Sequence, residues 1–237
     1  MNRLAGCLIL VLWWLPGQVR AAAAAPLKVM TMMNIQPNHP VVVLMDQAYQ
    51  RLGLTMQLEL MPAERGRIEL ARGLSVDATL AAAESFSKAL PTVVRVPVVI
   101  YQLDLHAFTA DPMLQIKDWT ELQQMQVSYV QGMESVRLRL RQHQINRLEA
   151  VMSLEQVLRR LAMSRDKVAV LPRFEAETMI KLLQLQGIRR LDPRLAKVPL
   201  YHYVHTKHQA LVAPLSQILV ELTGNVLESA DQPLADH

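Results

Sequence analysis

The chain has 237 residues, 51% hydrophobic and 19% charged, with 25 Lys and Arg against 21 Asp and Glu. That is material for one large domain or two lobes of about 100 residues each, and it excludes intrinsic disorder and coiled coil. The balanced charge gives no footprint for a nucleic-acid partner, and 8 glycines leave little room for a glycine-rich phosphate loop.

The first two dozen residues read as an export signal. Asn2 and Arg3 open it, residues 4–15 form an apolar run, Pro16-Gly17 break the run, and alanines fill 21–25. Ala22 and Ala24 suit the two small-residue pockets of a signal peptidase, so 1–24 is expected to be removed. The run is shorter than the ~20 residues of a membrane span. Without a twin arginine, the general secretory route to the periplasm is expected. Leu4-Ala5-Gly6-Cys7 matches a lipid-attachment sequence, but the apolar run follows the cysteine instead of preceding it, which is the wrong membrane geometry. Cys7 is the only cysteine, so the exported remainder has no disulfide, no thiol nucleophile and no cysteine metal site.

After the signal, short β-branched runs alternate with helical patterns. Strands are expected at 28–33, 55–61 and 76–82, with helices at 41–52, stopped by Gly53, and at 64–71, stopped by Gly73. Three such units in under 60 residues favour a parallel sheet flanked by helices. Residues 93–109 form a long extended stretch in which Pro97 argues for an edge or crossing strand. Alternation resumes with strands at 126–130, 146–151, 167–171 and 198–204. Helices are expected at 134–143, 153–162 (with a Ser153/Gln156 capping box), 174–186 and 208–227.

Five stretches carry a resemblance: the strand-loop-helix of 27–54; the turn Met61-Pro62-Ala63-Glu64-Arg65-Gly66-Arg67; the strand start Gly73-Leu74-Ser75-Val76-Asp77-Ala78; the strand-Gly-helix of 127–135; and the return Tyr201-His202-Tyr203-Val204-His205. In this order the chain resembles the exported solute-binding proteins of the bacterial extracellular family 3 type, two-lobed periplasmic binding proteins related to amino-acid receptors of ABC transporters. The resemblance implies an α/β, type II periplasmic binding protein-like fold. Each lobe is then a mainly parallel sheet flanked by helices, and two hinge crossings join the lobes. Lobe 1 is expected at 25–108 plus 201–237 and lobe 2 at 109–200. It further implies a monomer without cofactor that closes on a small polar ligand and presents the closed form to an ABC permease or a membrane sensor kinase. The chain departs from the family at one point. Where amino-acid-binding members carry Ser/Thr-x-x-Arg to clamp a carboxylate, residues 81–88 here contain no arginine and offer only Glu84 and Lys88.

Ligands of open α/β sheets bind where strands end and helices begin. That rule selects Asn34, Arg65, Glu84 and Ser85 in the first lobe, with Met33 and Glu64 beside them. In the second it selects Gly132, Glu134, Ser135 and Arg173. Glu134 has a plainer reading, as a carboxylate stabilising a helix N-terminus. His202, His205 and His208 lie three apart, but 202–204 reads as strand, where that spacing divides them between faces, so a surface or hinge role is preferred to metal binding. Asp104 and His106 share one face of an extended stretch without a nucleophile in reach, and no hydrolase, metalloprotease or Walker motif is present. The expectation is therefore a binding protein and not an enzyme. A vestigial interaction module is the alternative, and a lyase or dehydratase using Glu84 or Glu134 as acid is a lower-ranked one.

Overall fold

In the computed structural model, residues 25–32, 35–163 and 168–224 are described. The expected signal segment, Met33, Asn34 and the last part of the expected C-terminal helix lie outside them. The chain begins with β1 (Leu27–Thr31), α1 (Pro40–Arg51), β2 (Met56–Leu60), α2 (Ala63–Arg72) and β3 (Ala78–Ala83). β1 sits between β2 and β3 and is parallel to both. The same pattern recurs as β5 (Val127–Val130), α3 (Glu134–Gln142), β6 (Leu148–Val151), α4 (Leu154–Met163) and β7 (Val168–Pro172), with β5 central and parallel to β6 and β7. α5 (Arg173–Leu182) follows β7 directly.

Two strands join these units. β4 (Val93–Thr109) and β9 (Ala196–His205) run antiparallel from Val93 opposite His205 to Leu105 opposite Ala196. β9 also pairs with β3, and β4 with β7, so the sheet order is β2-β1-β3-β9-β4-β7-β5-β6. The expected crossings are thus strands, and they bring the two parallel units into one continuous sheet. Pro97 has no N–H to donate, and the β4–β9 register shifts around it, between Arg95 and Val99, as a bulge that accommodates a proline inside a sheet. The two-residue β8 (Arg189–Arg190), which the sequence pattern does not announce, pairs with the end of β4.

Helix ends follow local chemistry. Ser153 Oγ accepts from the Gln156 N–H at 3.2 Å, the cap expected from the sequence. α5 stops at Leu182, earlier than expected, because Gln184 takes a left-handed conformation (φ 52°) ahead of Gly187. The last helix, α6 (Val212–Thr223), starts late, after a 3-10 stretch Thr206–Leu211 in which His208 is non-helical, and Gly224 caps it at φ 68°.

The apolar side chains form two large cores, one at each end of the sheet, beside a smaller cluster of Met30, Leu70, Val76, Val93, Tyr201 and Tyr203. One spans Leu103 to Leu200 in sequence and includes Phe108, Leu122, Val136 and Leu158. The other draws on β1, α1, β3, the first half of β4 and α6, with Val29, Met45, Tyr49 and Leu219 fully covered. Within it His202 is wholly buried. The Leu80 carbonyl (3.1 Å) can only accept, so Nδ1 carries the ring proton, and the Tyr49 hydroxyl donates to Nε2 at 2.7 Å. Burial holds His202 down to about 4. Asp77 ties the chain's return to β1. It accepts from the Lys28 N–H (2.9 Å), Lys207 Nζ (2.7 Å) and His208 Nε2 (2.9 Å). Burial opposes its ionisation, but these donors prevail and lower it from 3.8 to about 2. Among the described residues no helix is long and apolar enough to cross a membrane.

Two pH windows of stability follow. Neutral His202 contributes fully above its ordinary 6.5. As the pH falls toward about 4 the unfolded chain takes the proton first, and a few kcal/mol are lost. Charged Asp77 contributes above 3.8, and its share is lost as the pH falls through about 2. Urea midpoints in the wild type should hold level from pH 8 to about 6.5 and fall from there to pH 4. They should flatten in His202→Gln, whose amide can both accept from Tyr49 and donate to Leu80.

Candidate functional site

The two parallel units point the C-terminal ends of their strands at the crossing. There the structure holds a cavity of about 130 Å³. A water fills ~10–15 Å³ of such space, so the cavity suits a molecule of roughly ten non-hydrogen atoms. The first unit supplies Thr31 at the end of β1 and Met32 after it, His39 before α1, Ala63, Glu64 and Arg67 from α2, and Ser85 and Phe86 after β3. The second supplies Gly132, Met133, Glu134 and Ser135 at the start of α3, and Glu175 from α5. Tyr101 on β4 and Leu200 on β9 close the end nearest the crossing. Most of the wall is apolar. The polar groups gather at the starts of α2 and α3 and at the His39–Glu175 corner.

Of the residues selected from sequence, Ser85, Gly132, Glu134 and Ser135 line this cavity, as does Glu64; Asn34 and Met33 lie outside the described residues. Arg65, Glu84 and Arg173 do not line it. Arg65 is exposed, because at 3.6 residues per turn it lies on the opposite side of α2 from the lining Ala63 and Arg67. Glu84 turns to Arg95 (3.2 Å), whose guanidinium sits 4.6 Å above the Tyr201 ring. Arg173 turns to Asp104 at 3.8 Å and is half-exposed. The Asp104–His106 pairing is not formed either: Asp104 meets Arg194 (3.3 Å), and His106 Nδ1 lies 3.0 Å from the Leu191 carbonyl.

The residues the strand-end rule misses are Arg67, His39, Tyr101 and Glu175. Arg67 sits one helical turn after Glu64, so 3.6-residue periodicity applied to the quoted turn leads to it. It has no carboxylate within 4 Å among the described residues; its guanidinium lies 5.9 Å from the Phe86 ring centroid, open to the cavity. Glu134, in contrast, is engaged by its own helix. The Arg137 guanidinium grips it through Nε (2.7 Å) and Nη2, and this hydrogen bonding first, with Arg67 and Arg141 more remotely, lowers its pKa. The histidines carry no shared site: His202 is core, His205 Nδ1 accepts from the Lys207 N–H (3.1 Å), and His208 pairs with Asp77. No cluster of three metal-ligating side chains occurs among the described residues.

Gly132 has φ +87°, a conformation that disfavours any side chain. A Cβ there would also come within 2.7 Å of Ala63 Cβ and 3.2 Å of Met32 Cε, both in the first unit. The start of α3 therefore meets the start of α2 backbone to side chain at one side of the cavity.

The sequence matches no known family profile and no curated protein. Its fold does have relatives among solved structures. A histidine kinase sensor domain with similarity to periplasmic binding proteins superimposes with TM-score 0.71 at 16% identity, over 85% of this chain and 92% of that one. The GluR0 ligand-binding core in complex with L-glutamate gives 0.71 at 11%, over 85% and 93%. Holo arginine-binding protein from T. maritima gives 0.67 at 14%, over 83% and 89%. At these identities the likeness establishes the fold, which is that of the periplasmic binding proteins.

Gly132→Ala should cost about 1–2 kcal/mol for the left-handed backbone and, beyond that, should drive the two helix starts apart. Gly53→Ala is the control: φ is +70°, but nothing lies within 4 Å of the added carbon. Both variants should lose thermal stability, and only Gly132→Ala should expand the molecule in small-angle scattering.

Proposed function

We propose that this chain is an exported ligand-binding module that traps a small molecule between two lobes and presents its closed form to a membrane partner, either an ABC permease or a sensor kinase. The observation that carries the reading is the cavity itself. It lies at the carboxyl ends of both parallel units, it is walled from both, and beside it Gly132 meets Ala63 in a contact that any separation of the units would break. A ligand touching both walls stabilises the shut arrangement over an open one, because only there are all its contacts made.

The wall also limits the ligand. Arg67, with no carboxylate within 4 Å among the described residues, is suited to an anionic group, because a guanidinium fork matches a carboxylate with two parallel hydrogen bonds. In this reading it takes over, from α2, the task of the arginine missing from 81–88. The apolar wall of Met32, Phe86, Met133 and Leu200 covers the rest of the molecule. The ligand is then a small anion or zwitterion with an apolar body, of the size of the amino acids named for two of the structural relatives. The wall residues bind and orient; no bond-breaking step is assigned to them.

Thermal unfolding against amino acids, amines and organic acids tests this. A true ligand at 1,000 times its Kd adds about 4 kcal/mol, a rise of roughly 8–16 °C for a chain of this size. Arg67→Ala should weaken the hit about 10- to 100-fold, the worth of a charge-assisted pair. Arg65→Ala and Arg173→Ala should leave it unchanged. A cooperative protein that answers to nothing in the panel would instead favour the interaction module with a vestigial cleft.

A further inference from the structure

Among the described residues the buried side-chain atoms without a hydrogen-bond partner are Arg190 Nε and His39 Nε2, and of these two residues His39 lines the cavity. His39 caps α1, with Nδ1 accepting from the Val41 N–H at 3.3 Å, so the ring proton is on Nε2. The side chain is 7% exposed. Glu175 Oε1 lies 3.4 Å from Nε2 without forming a hydrogen bond. The rings of Tyr101 (5.2 Å) and Phe174 (5.3 Å, edge-on) pack against the imidazole and fix its direction.

Glu175 lines the same cavity, at 10% exposure. The Tyr101 hydroxyl donates to it, and among the described residues no Lys or Arg lies within 4 Å. Arg173 on the same helix is spent on Asp104 (3.8 Å), and Arg190 on Glu177 (2.7 Å). The corner therefore sets an enclosed N–H donor beside an enclosed carboxylate acceptor. The two come from opposite ends of the sheet: α1 packs in the core around Met45 and Tyr49, and α5 places Ala176 in the core around Phe108. A buried donor without an acceptor is costly, and a ligand that brings the acceptor recovers that cost.

The end group that answers this corner has an acceptor and an N–H donor side by side. A primary carboxamide has that pattern: its oxygen accepts from His39 Nε2 and its nitrogen donates to Glu175. A second carboxylate would meet Glu175 with like charge, and an ammonium has no lone pair for the His39 N–H. We propose that His39 and Glu175 select a ligand with a carboxylate at one end, for Arg67, and a carboxamide at the other. The apolar wall covers the carbon chain between the two ends. This rests on the cavity and the Arg67 role proposed above, and it names the other end of the molecule. A carboxamide held by both residues also ties α1 to α5, so it contributes to closing as well as to selection.

Calorimetry on the full chain with two matched series of probes tests this. One series is L-glutamine, L-glutamate and L-ornithine; the other is the same set without the α-amino group, glutaramate, glutarate and 5-aminopentanoate. In at least one series the carboxamide should bind about tenfold tighter than its acid and amine counterparts, or better. His39→Asn keeps a cap acceptor for α1 and removes the Nε2 donor, so the carboxamide should lose that advantage. Glu175→Gln keeps an oxygen for Tyr101 and removes the charge, so the acid should gain on the carboxamide. Damage to the fold would weaken all members of a series alike, so the ratio within a series reads the corner itself. A carboxamide no tighter than its counterparts, or an advantage undiminished in His39→Asn, overturns the proposal. Binding of another panel member with neither series bound overturns the carboxamide end and leaves the two-lobe trap standing. Binding by no member of the panel or of either series overturns both.

Discussion

The antiparallel pairing of β4 with β9 is the constraint on which the other features depend. Each of these strands belongs to both ends of the molecule: β9 ladders to β3 at one end, and β4 to β7 at the other. Their backbone hydrogen bonds are not optional, because strands enclosed on both sides have no water to bond instead. The two parallel units are thus tied through two chain crossings. Pro97 and the register shifts beside it interrupt the ladder in the part of β4 whose Val96, Val98 and Ile100 belong to the core of the first unit. A ladder interrupted at that point is easier to twist than an unbroken one.

This arrangement explains where the site lies. A parallel unit needs its helices on the faces, so its strand ends and helix starts all open toward one edge. Two such units on a shared pair of crossing strands face those edges toward each other. The cavity follows from topology before any side chain is chosen. Side chains then decide what it accepts. The absence of a Cβ at Gly132 lets α3 approach Ala63, Arg67 supplies a cation with no carboxylate within 4 Å among the described residues, and methionine and alanine side chains leave a mostly apolar wall. Polar groups with jobs elsewhere are held away from it: Glu84 by Arg95, Arg173 by Asp104, and Asp77 by Lys207 and His208.

His39 and His202 show how placement alone separates two uses of one residue type. His202 has both ring nitrogens satisfied within a single core, so it stays neutral and structural. His39 has one nitrogen committed to a helix cap and the other facing a carboxylate across the crossing. Only the second arrangement joins side chains from opposite ends of the sheet.

Much of the fold is legible along the chain. The alternation of β-branched runs with helical periods, the glycine stops at Gly53 and Gly73, the Ser153 cap and the proline in the long stretch all act within a few residues, and local sequence is sufficient to locate them. The errors have local causes as well: Gln184 adopts a left-handed conformation that glycine usually marks, and the two residues of β8 are too few for any periodicity. The site was only partly legible. The rule that ligands sit at strand ends leads to Ser85, Gly132, Glu134 and Ser135, because their position is set by the element that carries them. It cannot tell Arg65 from Arg67, which depends on helix rotation against the sheet, nor foresee that Arg95 and Asp104 claim Glu84 and Arg173. The nearness of His39 to Glu175, 136 positions apart in the chain, exists only after β4 and β9 have paired. Sequence by itself determined the elements, their order and the architecture they imply, since those follow from short-range backbone preference and hydrophobic period. Tertiary structure alone decided which charges are paired and which face the cavity, since that depends on distances between segments that local chemistry does not control.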